Sequence, residues 1–248
     1  MQRYFLDQER FSDGIVHFDE EQAHHIGRVL RMKPGEELVV CDQAGSCFLA
    51  SLSQVGPGMA EAKVVRPLEG VTELPVAVTI AQGLPKGDKW ETVIQKGTEC
   101  GAAAFIPVAM ARSVAKVEPK KEARKLERWQ KIAQEAAEQS YRQLVPVVSP
   151  AVSFKHLVSL ANDFDVCLFA YEEAAKAGEK SRLKHIIEGL RPGMRLLVLV
   201  GPEGGISPEE AEILTGAGFI PCGLGPRILR TETAPGYVLA ALSYAFEL

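Results

Sequence analysis

Apolar and polar positions change period along the chain, and the change falls near residue 70. Before it, short runs alternate: Glu37-Leu38-Val39-Val40-Cys41-Asp42, Ser46-Cys47-Phe48-Leu49-Ala50-Ser51-Leu52 and Ala60-Glu61-Ala62-Lys63-Val64-Val65. Lys33-Pro34-Gly35, Gln43-Ala44-Gly45 and Gly56-Pro57-Gly58 separate them, a spacing that predicts a small β-barrel. One helix interrupts, about Asp19 to Val29, with acids at its start and Arg28 and Arg31 at its end, as the helix dipole favours.

After Pro67-Leu68-Glu69-Gly70-Val71-Thr72-Glu73 the apolar runs become continuous and alternate with helical stretches. Strands are predicted at Val76–Ala81, Ala104–Val108, Val145–Val148, Asp165–Ala170, Leu196–Val200 and Phe219–Gly223. Helices are predicted at Lys86–Gly101, Pro119–Tyr141, Phe154–Leu160, Lys180–Gly189, from Ser207, and from about Thr231. Such runs, buried on both sides, predict an α/β fold with a parallel sheet covered by helices on both faces. The division predicted is residues 1–70 for the barrel and 74–248 for the parallel-sheet domain.

Composition narrows the function classes. The 248 residues, 46% hydrophobic and 24% charged, suit a globular protein of one large or two modest domains. No run approaches the roughly 18–20 apolar residues that span a bilayer, so no membrane partner is expected. Met1-Gln2-Arg3-Tyr4-Phe5-Leu6-Asp7 lacks a signal-peptide core, which predicts a cytoplasmic protein. The 5 cysteines show no C-x-x-C pair, and His24 and His25 are adjacent; neither a disulfide framework nor a metal site is expected.

The net charge of −4 does not by itself suggest a nucleic-acid binder, although basic residues can gather on one face. Arg3, Arg10, Arg28, Arg31 and Lys33 are either solvated charge or a phosphate-contacting patch, and composition leaves both open. The long helix carries Lys116, Lys120, Lys121, Arg124, Lys125, Arg128 and Lys131 on a solvated face, with Ile132, Ala133, Ala136 and Ala137 as its core stripe.

Two loops carry the candidate chemistry. Strand Leu196–Val200 runs into Gly201-Pro202-Glu203-Gly204-Gly205, and Ser207-Pro208-Glu209-Glu210 then opens a helix with an N-cap and a first-turn proline. Ligands of parallel sheets bind beyond the carboxyl ends of the strands, and glycines there admit close backbone approach. The loop lacks the Lys-Ser/Thr of a P-loop, and Glu203 repels phosphate; a sulfonium, an amine or a ribose suits it better. The second loop, Gly223-Leu224-Gly225-Pro226-Arg227-Ile228-Leu229-Arg230-Thr231-Glu232-Thr233-Ala234, offers backbone groups, two apolar side chains and a helix start. Thr231 or Thr233 is expected to cap that helix, Glu232 sits in its first turn, and Arg230 can clamp a phosphate or steer a substrate.

Leu196-Leu197-Val198-Leu199-Val200-Gly201-Pro202-Glu203-Gly204-Gly205-Ile206-Ser207 with Leu224-Gly225-Pro226-Arg227-Ile228-Leu229-Arg230-Thr231-Glu232-Thr233-Ala234 resembles the motifs of the SPOUT methyltransferases. More narrowly, the chain is similar to the RsmE family of 16S rRNA uridine-N3 methyltransferases. His24-His25-Ile26 to Val29-Leu30-Arg31, Lys86-Gly87-Asp88, Gln95 to Gly101 and Glu135 to Ser140 extend the match through both halves. Gly97, Tyr141 and Pro235-Gly236 depart from the family's usual residues.

The resemblance implies a PUA-like RNA-binding barrel, a deep trefoil knot in the C-terminal sheet, a homodimer, and S-adenosylmethionine as cofactor. It implies a cofactor pocket of Phe169, Ala170, Val200, Gly201, Glu203, Gly204, Leu224, Gly225, Ile228 and Leu229. RNA contact is expected from Arg3, Arg10, Arg28, Arg31 and Lys86, with 16S rRNA in the small ribosomal subunit as partner. Uracil N3 carries a proton at neutral pH, so transfer needs a base or a cation that stabilises the uracil anion. Arg230 is the expected orienting or stabilising residue, with Glu232 as the weaker candidate for proton transfer. The alternatives are a SPOUT enzyme of other specificity, such as ribose 2′-O-methylation, and a catalytically silent RNA-binding protein.

Overall fold

The computed structural model describes residues 1–114, 119–176, 179 and 181–248; Lys116, Glu118 and Lys180 lie outside the described residues. The chain divides into two compact units: residues 1–73 with 137–145, and residues 74–136 with 146–248.

The first unit holds β1 (Arg3–Phe5), β2 (Phe11–Ser12), β3 (Ile15–His17), α1 (Glu20–His24), β4 (Glu37–Cys41), β5 (Cys47–Gly56) and β6 (Met59–Pro67). The strands form one six-stranded sheet in the order β1-β4-β5-β6-β3-β2. Only the β1–β4 pair is parallel. Tyr4, Val16, Phe18, Ile26, Leu38, Val40, Ala50 and Leu52 make its core. α1 starts at a capping box in which Asp19 and Gln22 bond each other's backbone, and the chain continues as a π-helical turn over His25–Val29. β1 to β3 escaped the sequence pattern because each has only two or three residues.

Two expectations are corrected in this unit. Arg3 is only 6% exposed, and its guanidinium donates to the Arg142 carbonyl at 2.6 Å and lies over the Tyr141 ring. It holds the 137–145 segment to β1 and is not a surface group for RNA. Cys41 and Cys47 face each other across the β4–β5 pair, with Cα atoms 4.1 Å apart, and are joined as a disulfide. The absence of a C-x-x-C pair did not exclude it, because a hairpin register brings two cysteines six positions apart together.

Tyr141, in a left-handed conformation at φ +60, belongs to the same segment. Its hydroxyl accepts from the Met1 ammonium at 2.8 Å.

The second unit holds β7 (Ala77–Gly83), α2 (Lys89–Glu99), β8 (Ala104–Ala109), α3 (Pro119–Gln139, its last turn counted with the first unit), β9 (Val147–Val148) and β10 (Val152–Ser153). It continues with α4 (Phe154–Ser159), β11 (Val166–Ala170), α5 (Glu172–Lys176), α6 (Arg182–Gly189), β12 (Arg195–Val200), α7 (Pro208–Gly216), β13 (Ile220–Cys222) and α8 (Ala234–Glu247). The sheet runs β10-β8-β7-β12-β11-β13, with β9 also on β8, and every pairing is parallel.

One face buries Ile106, Val108, Phe169, Leu197 and Leu199 against Leu157, Ala211, Leu214 and Phe219. On α2, Trp90 meets Phe105 edge-on at 6.2 Å. A Cβ on Gly97 would stand 2.7 Å from the Phe105 ring, so the departure at this position lets α2 lie close on the sheet. Within α3, Ala133, Ala136 and Ala137 are buried as expected.

Candidate active site

The carboxyl ends of β11 and β12 and the segment after β13 open on a cleft of about 790 Å³. Its walls are Ala170 to Glu173, Val200 to Ile206 and Leu224 to Thr231, with Lys89, Arg112, Pro208 and Ala234. The volume falls in the range of roughly 300–1,000 Å³ typical of small-molecule sites.

The first loop is held by its own packing. Gly205 N donates to Pro202 O at 2.8 Å, and Ser207 and Glu210 form the expected capping box at the start of α7. A Cβ on Gly201 would lie 2.9 Å from Gly205 C and Ile206 Cγ1. The glycine is therefore demanded by loop closure, where the sequence suggested close approach to a ligand.

The second loop is open. Among the described residues, the amides of Leu224, Gly225, Arg227, Ile228 and Leu229 donate to no other group, and Ile228 is 77% exposed. Free amides beside apolar side chains suit a flat heterocycle with both ring faces and a polar edge to satisfy.

A buried joint ties the loops together. Gln82, at the carboxyl end of β7, donates through Nε2 to Gly201 O at 3.1 Å and to Thr231 Oγ1 at 2.6 Å. Thr231 Oγ1 in turn donates to Gly201 O at 2.6 Å. Thr231 is thus a strut between loops and not a helix cap, and Thr233 at the N-cap position makes no side-chain cap bond either. α8 begins only at Ala234, so Glu232 lies in the turn before the helix.

Charge gathers at one wall. Glu203 Oε1 accepts from the Lys86 amide at 3.0 Å and stands 3.1 Å from Lys89 Nζ, which stands 3.3 Å from Glu232 Oε2. Burial pushes the Glu203 carboxyl upward, but the amides of Glu203 and Lys86 and the Lys89 ammonium outweigh it and hold its pKa below the ordinary value. The hydrogen bond to Glu203, above all, raises the Lys89 pKa above that of an ordinary lysine. Glu203 is therefore committed to Lys86 and Lys89, and little free negative charge remains for a cationic ligand. Arg230 Nη1 lies 3.9 Å from Glu232 Oε1, and its side chain is 83% exposed.

Of the residues expected at the cofactor pocket, Ala170, Val200, Gly201, Glu203, Gly204, Leu224, Gly225, Ile228 and Leu229 line the cleft, as does Arg230. Two residues do not. Phe169 points away from the cleft, because alternate residues of a strand face opposite sides, and it is buried in the core with Ala211 and Leu214. Glu232 stands behind Lys89 and reaches the cleft only through Lys89 and Arg230.

Gln82, Lys89 and Arg112 were missed by sequence reasoning. The signal for Gln82 was a polar residue at the end of an apolar strand. Arg112 donates to Gly204 O at 2.9 Å. Among the described residues no cluster that could hold a metal is present, and no helix is long and apolar enough to cross a membrane.

The RNA methyltransferase domain family matches residues 72–243, and the RNA methyltransferase PUA domain family matches residues 18–65. A parallel sheet with its cleft at the strand ends, joined to a PUA domain, defines an RNA methyltransferase. The chain belongs to the family of ribosomal RNA small subunit methyltransferase E. The Bacillus subtilis (strain 168) protein of that name is 48% identical over 251 residues, covering 100% of this chain and 98% of the relative. The one from Synechocystis sp. is 34% identical over 246 residues, covering 99% and 78%. The crystal structure of the Neisseria gonorrhoeae enzyme, bound to S-adenosyl methionine, matches with a TM-score of 0.87 at 31% identity, over 99% of this chain and 98% of that one.

Proposed function

We propose that this chain transfers a methyl group from S-adenosylmethionine to N3 of a specific uridine in 16S rRNA of the small ribosomal subunit, in the cytoplasm. The observation that carries the reading is the joint of Gln82, Gly201 and Thr231, which sets two loops across one cleft at the strand ends. The residues present fit the cofactor: the free amides of Leu224 to Leu229 suit the adenine edge, and Ile228 and Leu229 suit its faces. Gly201, Glu203 and Gly204 form the facing wall with Ala170 and Val200. When bound, the cofactor supplies a methyl group already activated by its sulfonium.

The chain's own residues then have to position the uracil and stabilise the negative charge left when N3 loses its proton. Arg230, at the open side of the cleft, steers the target nucleotide. Glu232 acts through Lys89 and Arg230. A paired N3 is inaccessible, so the target uridine enters unpaired or flipped out.

Residues 74–248 carry this chemistry. Residues 1–70 hold RNA through Arg10, Arg28 and Arg31, the last two exposed beside the π-helical turn, and Lys86 adds charge near the cleft. The family resemblance supports a deep trefoil knot in the polypeptide after β13. Tyr237 and Tyr244 on α8, with Leu248 just after it, are exposed apolar residues, which supports a homodimer.

Primer extension on small-subunit rRNA tests the reading, because N3 methylation blocks base pairing and ribose 2′-O-methylation does not. A strain lacking its own enzyme should regain one strong stop when it expresses this chain. Full read-through with a stable ribose methyl, or no methyl at all, would reject N3 transfer.

A further inference from the structure

Lys89 opens α2 and lines the cleft, with a side chain about one-third exposed. An ammonium has three N–H donors. In Lys89 it stands 3.1 Å from Glu203 Oε1 and 3.3 Å from Glu232 Oε2, paired with one carboxylate from each cleft loop. The two ion pairs fix a cation with N–H groups to offer at the cleft wall. The geometry points to Lys89 as a catalytic residue: its ammonium donates to a uracil carbonyl oxygen next to N3 as negative charge builds on the ring.

The role rests on the proposed uridine-N3 reaction. As the N3–H bond breaks, the proton passes to water, and the electron pair left behind spreads over O2, N3 and O4. A fixed cation beside O2 or O4 lowers the energy of that charge. The N3 pair then forms the bond to the methyl carbon, while the pair of the broken carbon–sulfur bond stays on sulfur.

Electrostatic catalysis favours donors that are already in place, because nothing has to reorganise as the charge develops. Arg230 meets that condition poorly: its side chain is largely in solvent and its acidic neighbour Glu232 is 3.9 Å away. The Arg112 guanidinium is engaged with Gly204 O. Lys89 is held from two sides, and the same two carboxylates keep it protonated, so it serves as a donor and not as a base. Glu203 and Glu232 are positioning residues in this arrangement.

The test uses small-subunit particles from a strain lacking the enzyme, grown with 5-fluorouracil so that target sites carry either uridine or 5-fluorouridine. Fluorine at C5 acidifies N3–H and stabilises the ring anion without help from the protein. Single-turnover methylation of both nucleosides is read in one digest by mass spectrometry, and S-adenosylmethionine binding is measured separately by calorimetry. Lys89→Met should slow uridine methylation about 100-fold, recover about tenfold on 5-fluorouridine relative to uridine, and change cofactor affinity less than about threefold.

Lys89→Met with Glu232→Gln removes one of the two carboxylates that lose the Lys89 ammonium, and should show the same fluorouridine recovery if the single variant folds poorly. Equal losses on both nucleosides, or a cofactor affinity that falls in step with the rate, would overturn the role and leave Lys89 as a strap between the loops. A wild-type protein that methylates neither nucleoside at N3 would instead overturn the uridine-N3 reading, and the role of Lys89 with it.

Discussion

The two loops of the cleft follow β12 and β13, two strands of one sheet with β11 between them, and solve opposite problems. Gly201 to Gly205 closes on itself: the Gly205 amide bonds Pro202 O, Gly205 and Ile206 pack against Gly201, Glu203 is tied to Lys86 and Lys89, and α7 starts directly after it on a capping box. Leu224 to Leu229 keeps its amides free and presents Ile228 to solvent. The glycine-rich loop, which has the look of a ligand cradle in sequence, is the rigid wall. The loop with fewer glycines is the adaptable one. Thr231 and Gln82 transmit the rigidity of the first to the base of the second.

That contrast can be broken from the rigid side. Gly201→Val would press a branched side chain against Gly205 and Ile206. A loss of about 3 kcal/mol in stability is expected, together with loss of S-adenosylmethionine binding, as read by thermal melting and calorimetry. Normal melting with binding alone abolished would show that the space at Gly201 belongs to the ligand.

Thr231→Val acts at the joint. It removes the donor to Gly201 O and the acceptor for Gln82 Nε2 while keeping side-chain shape. About 1–3 kcal/mol of stability should be lost, since buried polar groups are left short of partners. Cofactor affinity should fall with it, because the second loop then loses its anchor. Unchanged affinity in a destabilised variant would show the loops to be independent.

Ser207→Ala is the mildest of the three. Loss of the cap should cost about 1 kcal/mol and leave cofactor binding within twofold, as the hydroxyl serves the Glu210 amide and the Glu209 carboxyl at the start of α7. A large loss of binding would place Ser207 in the site.

Much of this organisation was legible along the chain. Continuous apolar runs at Leu196–Val200 and Asp165–Ala170 announced a parallel sheet, and Ser207-Pro208-Glu209-Glu210 announced a helix start, because both depend on residues close in sequence. The motifs around Gly201 and Arg230 pointed to the correct end of that sheet. The two- and three-residue strands β1 to β3 were invisible, since a period needs several repeats before it can be read.

The amino-acid sequence by itself therefore determined the α/β class, the change of architecture near residue 70, and the family to which the chain belongs. Tertiary structure alone decided the state of the individual side chains. Arg3 became a buried strut because Arg142, 139 residues away, supplies its acceptor. Phe169 turned into the core by strand alternation. Glu203 lost its free charge to Lys86 and Lys89, and Gln82 met Gly201 and Thr231 across 119 and 149 positions. Local periodicity reports which face of an element is apolar. It carries nothing about which polar groups will meet, since that depends on contacts that exist only once the sheet has assembled.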